Sequence, residues 1–267
     1  MIRDITIGQY YPADSPLHKL DPRTKLMGTL IFIISVFLFH TIPGYAVATL
    51  FLAALIKISK VPVKFIFKGL KAIFMILLIT MLFNVFLTPG EVIWKLGFLK
   101  MTKEGISLAV RMAIRLIYLV IGSSLMTLTT TPNQLTDGLE RSLRPLNRLR
   151  VPVHEISMMM SIALRFIPIL LEETDKIMKA QIARGADFEN GNLIQKVKNM
   201  VPLLVPLFIS AFRRANDLAM AMEARCYHGG EHRTQMKPLC YQKRDYVTYL
   251  ILAAYLAVAI IFRVVGI

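Results

Sequence analysis

Charge and apolar sequence are segregated in this chain, and that segregation constrains its fold more than any other feature. The runs Leu26–Ile58, Ile73–Leu87, Ile106–Thr130 and Tyr246–Phe262 are dominated by aliphatic and aromatic residues. Between them lie segments rich in Lys and Arg. Of 267 residues 55% are hydrophobic, yet 32 Lys and Arg against 17 Asp and Glu leave a formal net charge of +15. Mean hydropathy is +0.55. A soluble domain carries about 25% charged residues, whereas this chain has 18%. Such apolar content excludes a disordered chain. Two cysteines exclude a disulfide scaffold. The class that remains is an all-α integral membrane protein with basic segments facing the cytoplasm. Those segments do not point to nucleic acid, because Lys and Arg accumulate in cytoplasmic loops by resisting translocation. The first 25 residues hold scattered charges and no apolar core, so a retained, cytoplasmic N-terminus is expected rather than a cleaved signal.

The first apolar run is interrupted at His40–Gly44, and Pro43-Gly44 predicts a hairpin of two short helices, about Leu26–Phe39 and Tyr45–Ile58. Lys57, Lys60, Lys64, Lys68 and Lys71 recur every three or four residues, which predicts an interfacial helix leading into a third span. Glu91–Glu104 reads as a loop of nearly balanced charge, followed by a fourth span. Arg111 and Arg115 share one face of that span and read as side chains snorkelling to the outer interface. Tyr246–Phe262 is the fifth. Lys and Arg concentrate after the second and fourth spans, which predicts N-inside, C-outside. Three sections follow: a membrane domain with four spans over 1–130, a cytoplasmic helical segment over 131–244, and the last span in 245–267.

The cytoplasmic segment holds 17 Lys and Arg and 11 Asp and Glu. Thr131-Pro132 opens a helix as cap and first residue. A second, from Val151-Pro152 to Arg184, is closed by Gly185 as a left-handed cap. A third runs from Asn192 to Cys226. Pro168 bends one long helix; Pro202 and Pro206 bend the other. Each is apolar at one end and charged at the other, as amphipathic helices packed at a membrane surface would be. Their ends repeat 41 residues apart: Ala183-Arg184-Gly185 and Ala224-Arg225-Cys226. A single Arg at a helix C-terminus is favoured by the macrodipole alone. Two, each beside small residues that let a partner approach, point to docking through the guanidinium fork.

The run Gly8-Gln9-Tyr10-Tyr11-Pro12 with Ser15 to Lys25, the Thr-Thr-Pro turn at 130–132, the paired Arg ends and Arg214–Met222 together resemble the transmembrane coupling component of energy-coupling-factor vitamin transporters. The resemblance covers essentially the whole chain. It implies a non-catalytic subunit of an ATP-driven importer in the bacterial cell membrane. It implies as partners two ATP-binding cassette subunits and a membrane-embedded substrate-binding subunit. No cofactor is expected in this chain; ATP and magnesium would be held by the partners. Arg184 and Arg225 match the residues that dock in grooves of the ATP-binding subunits, flanked by Ala183, Gly185, Ala224 and Cys226. Cys226 departs from the glycine common in that family. The two coupling helices would carry motion to the substrate-binding subunit. Met158, Met159, Ile162 and Phe166 on one helix, and Leu203, Leu207, Phe208 and Ala211 on the other, are the expected seat for it, since methionine and small residues repack easily against a changing partner.

Other readings find weaker support. His154-Glu155 has Met158 where a zinc protease motif needs a second His. Cys226, His228, His232 and Cys240 flank Gly229-Gly230, which favours a solvated loop over a metal site. No G-x-x-x-x-G-K-[ST] is present. A stand-alone channel or secondary transporter would place polar groups in its spans. Here Thr80, Asn84, Ser123 and Ser124 are the main ones, and such a protein would leave the long cytoplasmic helices unexplained.

Overall fold

The computed structural model describes residues 10–39, 41–96, 99–186, 188, 193–229 and 238–265. Gly8, Gln9, His40, Gly191, Asn192 and His232 lie outside the described residues. The fold is all-α apart from one short hairpin, and the chain divides into two compact units, one of 6–142 with 239–267 and one centred on 143–238.

The first unit begins with α1 (Pro22–Leu38) and α2 (Ile42–Ser59). They form the expected pair of short helices, with boundaries shifted by capping. Asp21 caps α1 by accepting from the Arg23 amide at 2.9 Å, so α1 starts four residues before the apolar run. Pro43 and Gly44 lie in the first turn of α2 instead of breaking it, where Pro is pre-organised. Gly44 is required there, since a Cβ would fall 2.5 Å from the Phe39 ring.

The expected lysine helix is divided. Lys57 lies in the last turn of α2, Lys60 is its left-handed cap (φ 55°), and only Lys64, Lys68 and Lys71 belong to α3 (Val63–Leu87). A 56° bend separates Val63–Lys71 from Ile73–Leu87, as an interfacial segment turning into a span would require. The loop expected at Glu91–Glu104 contains a β-hairpin, β1 (Val92–Leu96) with β2 (Leu99–Thr102), paired antiparallel with Lys95 opposite Lys100. Next come α4 (Lys103–Thr129) and α5 (Pro132–Leu143). Thr131 and Gln134 form a reciprocal capping box at the start of α5. A 3-10 turn (Arg144–Leu149) follows. After the second unit, α8 (Lys243–Val265) returns to pack on α1.

Phe32, Val36, Phe39, Ala48, Leu125, Tyr255 and Ala259 form the core. Arg111 stays exposed, and Arg115 is half-buried. It donates to the Phe39 carbonyl at 3.5 Å and lies over the Phe37 ring, satisfying the open end of α1. By length and composition, α4, α6 (Val153–Ala183) and α8 can each cross a membrane, and bent α3 is a fourth. At 17 and 18 residues α1 and α2 fall short of the roughly 20 that a straight span needs. The expected count of five is therefore approximate.

Candidate docking site

The second unit is built on α6 and α7 (Leu193–Ala224), of 31 and 32 residues, each roughly 47 Å long at helical rise. They pair antiparallel. Glu173 on α6 bonds Arg214 on α7 at 2.8 Å, and Gln181 donates to the Pro202 carbonyl at 3.3 Å. That second bond has a specific cause. The Pro202 carbonyl would ordinarily accept from the amide four residues on, which is Pro206 and has no N–H. The Gln181 side chain replaces it. At the other end of the pair, Met158 and Ile162 share a cleft of ≈480 Å³ with Leu218, Met222 and Arg225.

Both Arg motifs end in the same backbone device. Arg184 is the C-cap of α6; Gly185 has φ +91°, its amide donates to Ile182 O, and the Ala186 amide donates to Gln181 O. Arg225 follows α7 in the same position. Cys226 has φ +54°, its amide donates to Glu223 O, and the Tyr227 amide donates to Met222 O. These are two Schellman motifs with identical bonding. Cys226 thus occupies a left-handed position that favours glycine, which its residue type did not suggest. Both guanidinium groups are exposed, and among the described residues neither is ion-paired.

The antiparallel pairing sets their separation. Arg225 lines the same cleft as Ile162, and Arg184 lies about six turns farther along α6, roughly 33 Å by helical rise. The two motifs stand at opposite ends of the pair. The same pairing places the expected apolar seat on two arms, because the apolar half of each helix runs beside the charged half of the other. Met159 and Phe208 are well exposed at 58% and 61%, while Phe166, Leu207 and Ala211 are half-buried. Leu203 is buried at 5% and packs inward. The exposed stripe on α7 is Val197, Val201, Val205, Phe208 and Phe212, a spacing of three and four that the sequence already displays.

The N-terminal run folds into a clasp in the first unit. The Asp21 amide donates to buried Asp245 at 2.9 Å, and Asp245 also accepts from the Gln242 amide at 2.8 Å, joining the starts of α1 and α8. Arg23 chelates Asp21, donates to the Leu239 carbonyl and lies 3.9 Å over the Tyr241 ring. Burial opposes ionisation of Asp21, but the bonds from Arg23 outweigh it and hold the carboxyl below its usual range. His18 bonds Ser15 Oγ at 2.6 Å and the Tyr11 carbonyl at 3.0 Å, and burial lowers its pKa.

These motifs lie within a segment that known proteins share. Residues 13–236 match the family model described as cobalt transport protein, CbiQ. The chain belongs to the CbiQ family. It is 54% identical over 266 residues to the energy-coupling factor transporter transmembrane protein EcfT of Clostridium kluyveri, covering 99% of this chain and 98% of that one. It is 56% identical over 264 residues to EcfT of Ruminiclostridium cellulolyticum, with 96% and 99% covered. Identity to EcfT of Bacillus subtilis is 48% over 260 residues, with 96% and 98% covered. Membership in this family and the apolar helices agree on a multi-pass membrane protein that serves as the transmembrane component of an energy-coupling transporter.

Proposed function

We propose that this chain transmits movement from two ATP-binding cassette subunits to a substrate-binding membrane subunit, for uptake of a vitamin or other micronutrient. Arg184 and Arg225 each enter a groove of one cassette subunit. ATP hydrolysis takes place there, not in this chain. When the cassettes close, the grooves approach one another and draw on the two ends of the α6–α7 pair. The substrate-binding subunit rests on exposed apolar positions such as Met159 and Phe208, and is made to reorient. The N-terminus and residues 131–244 face the cytoplasm, and the C-terminus lies outside.

One observation carries this reading. Two exposed Arg side chains, neither ion-paired among the described residues, sit on identical Schellman ends, roughly 33 Å apart by helical rise, which is a spacing for two separate partners. Co-purification from detergent tests it. Arg184→Ala/Arg225→Ala should lose the cassette subunits and keep the membrane partner, whereas Phe208→Glu should do the reverse. Retention of both cassette subunits by the double variant would overturn the docking assignment.

A further inference from the structure

In the first unit a cavity of ≈550 Å³ opens between α1, α2, α4 and α8. Ligand sites typically measure about 300–1,000 Å³. Its lining comes from matching ends of the helices, the N-terminal ends of α1 and α8 and the C-terminal ends of α2 and α4. Along α8 the lining runs from Lys243 to Leu252, which makes the cavity about 14 Å deep at helical rise. Its depth is apolar, with Phe32, Phe51, Leu55, Leu125 and Ile251 among the walls.

The inner end is held open by packing. Phe32 and Phe51 stack at 6.1 Å, and Phe51 stacks on Tyr255 at 4.2 Å. Phe32 also lies against Gly122, where a Cβ would fall 2.7 Å from its ring. These contacts hold the rings against their neighbours at the wall of the space.

The opposite end is cationic. Lys25, Lys243 and Arg244 all line it. Lys25 is buried at 7% exposure, and its ammonium donates to the carbonyls of His18 at 3.2 Å and Thr129 at 2.8 Å. An ammonium has three donors, and the third has no partner among the described residues. The acidic groups whose charge reaches Lys25 are Asp21 and Asp245, and both are engaged elsewhere, by Arg23 and by the Asp21 and Gln242 amides. Among the described residues, the Arg244 guanidinium donates to the Gln242 side chain alone.

We infer that this cavity binds one anionic glycerophospholipid of the surrounding bilayer, its phosphate held by Lys25, Lys243 and Arg244 and one acyl chain lying against Phe32 and Phe51. A free anion would use only the mouth, and an uncharged apolar ligand only the depth. A phospholipid uses both, and basic pockets between membrane helices suit anionic headgroups. Zwitterionic phosphatidylcholine carries its own ammonium and gains less from three cations.

The test uses the full chain reconstituted in vesicles of equal phosphatidylglycerol and phosphatidylcholine, extracted in mild detergent and weighed by native mass spectrometry. Wild-type protein should retain one phosphatidylglycerol, at least tenfold over phosphatidylcholine. Lys243→Glu/Arg244→Glu should lower that retention about tenfold. Ala54→Trp, which fills the cavity from the α2 wall without changing charge, should abolish it. Circular dichroism checks that both variants keep their helices. Equal retention of the two lipids, no lipid on the wild type, or undiminished phosphatidylglycerol on either helical variant overturns the assignment.

Discussion

The separation of the two Arg ends makes a quantitative demand on cassette binding. A guanidinium in charge-assisted hydrogen bonds contributes about 1.5–3 kcal/mol relative to its loss. Replacing either Arg184 or Arg225 by Ala should therefore weaken binding of a cassette pair about 10- to 150-fold, at roughly tenfold per 1.4 kcal/mol. Sites more than about 7–10 Å apart with no shared partner add within about 0.5 kcal/mol. The Arg ends are separated by roughly 33 Å of helix, and no residue of the described chain bridges them. The double variant should thus lose about 3–6 kcal/mol, the sum of the single losses. The assay is a titration of purified cassette subunits onto the full chain in nanodiscs, read by biolayer interferometry for wild type, both singles and the double. Arg→Lys at either site should recover only part of the loss, because an ammonium cannot reproduce the planar fork. A double variant no weaker than the worse single would show that both side chains serve one contact. Singles that lose less than twofold would remove the Arg ends from docking altogether.

Further outcomes follow from the capping and clasp geometry. Gly185→Ala should loosen the end of α6 by about 1–2 kcal/mol, the cost of a left-handed residue bearing a Cβ, since no neighbouring atom lies within 4 Å of the added carbon; Cys226→Gly should tighten the end of α7, and amide exchange at Ala186 and Tyr227 reads both. Asp245→Ala strands the Asp21 and Gln242 amides, and at about 1–3 kcal/mol per unpaired buried donor it should lower detergent thermal stability, with Asp245→Asn milder. His18 has a folded pKa below its ordinary 6.5 because burial disfavours the cation. Its stabilising effect is therefore full above the unfolded pKa and lost as pH falls through the lower folded one, so the protection of the amides in 11–20 relative to their intrinsic exchange rates should fall on acidification and His18→Gln should flatten that response.

Much of this architecture can be read from residues close together in sequence. Thr131 as a cap and Gly185 as a left-handed stop depend on local chemistry and appear where the pattern places them; the two short helices also form, but Pro43 lies inside the second instead of between them. Features that join distant residues were not legible. The Asp21–Asp245 clasp spans 224 positions, and nothing in either local sequence names the other. The antiparallel pairing of α6 and α7 was hidden for the same reason, so Leu203 was grouped with an exposed seat although it packs inward. The Phe39 carbonyl that Arg115 meets likewise lies 76 positions away. Cys226 escaped for a different reason: cysteine has no bias toward positive φ, and only the repeated Ala-Arg before it hinted that both helices stop in one way.

The prolines give the two long helices a shared mechanical design. Pro168 in α6, and Pro202 and Pro206 in α7, all lie upstream of the Arg ends. Each removes one backbone bond and loosens the helix locally. Beyond them, Ile169–Ala183 and Leu207–Ala224 run without interruption to their Schellman stops. These arms span roughly 22 and 27 Å and carry the Arg residues on unbroken helix. The Glu173–Arg214 pair joins one arm to the other, and Gln181 occupies the carbonyl that Pro206 leaves open. Flexibility is thus placed at the prolines and stiffness next to the two Arg ends. Under the proposed docking, a force applied at either Arg would meet stiff helix first and bend the pair where proline has already removed a bond, within the apolar stripe on α7 that straddles Pro202 and Pro206.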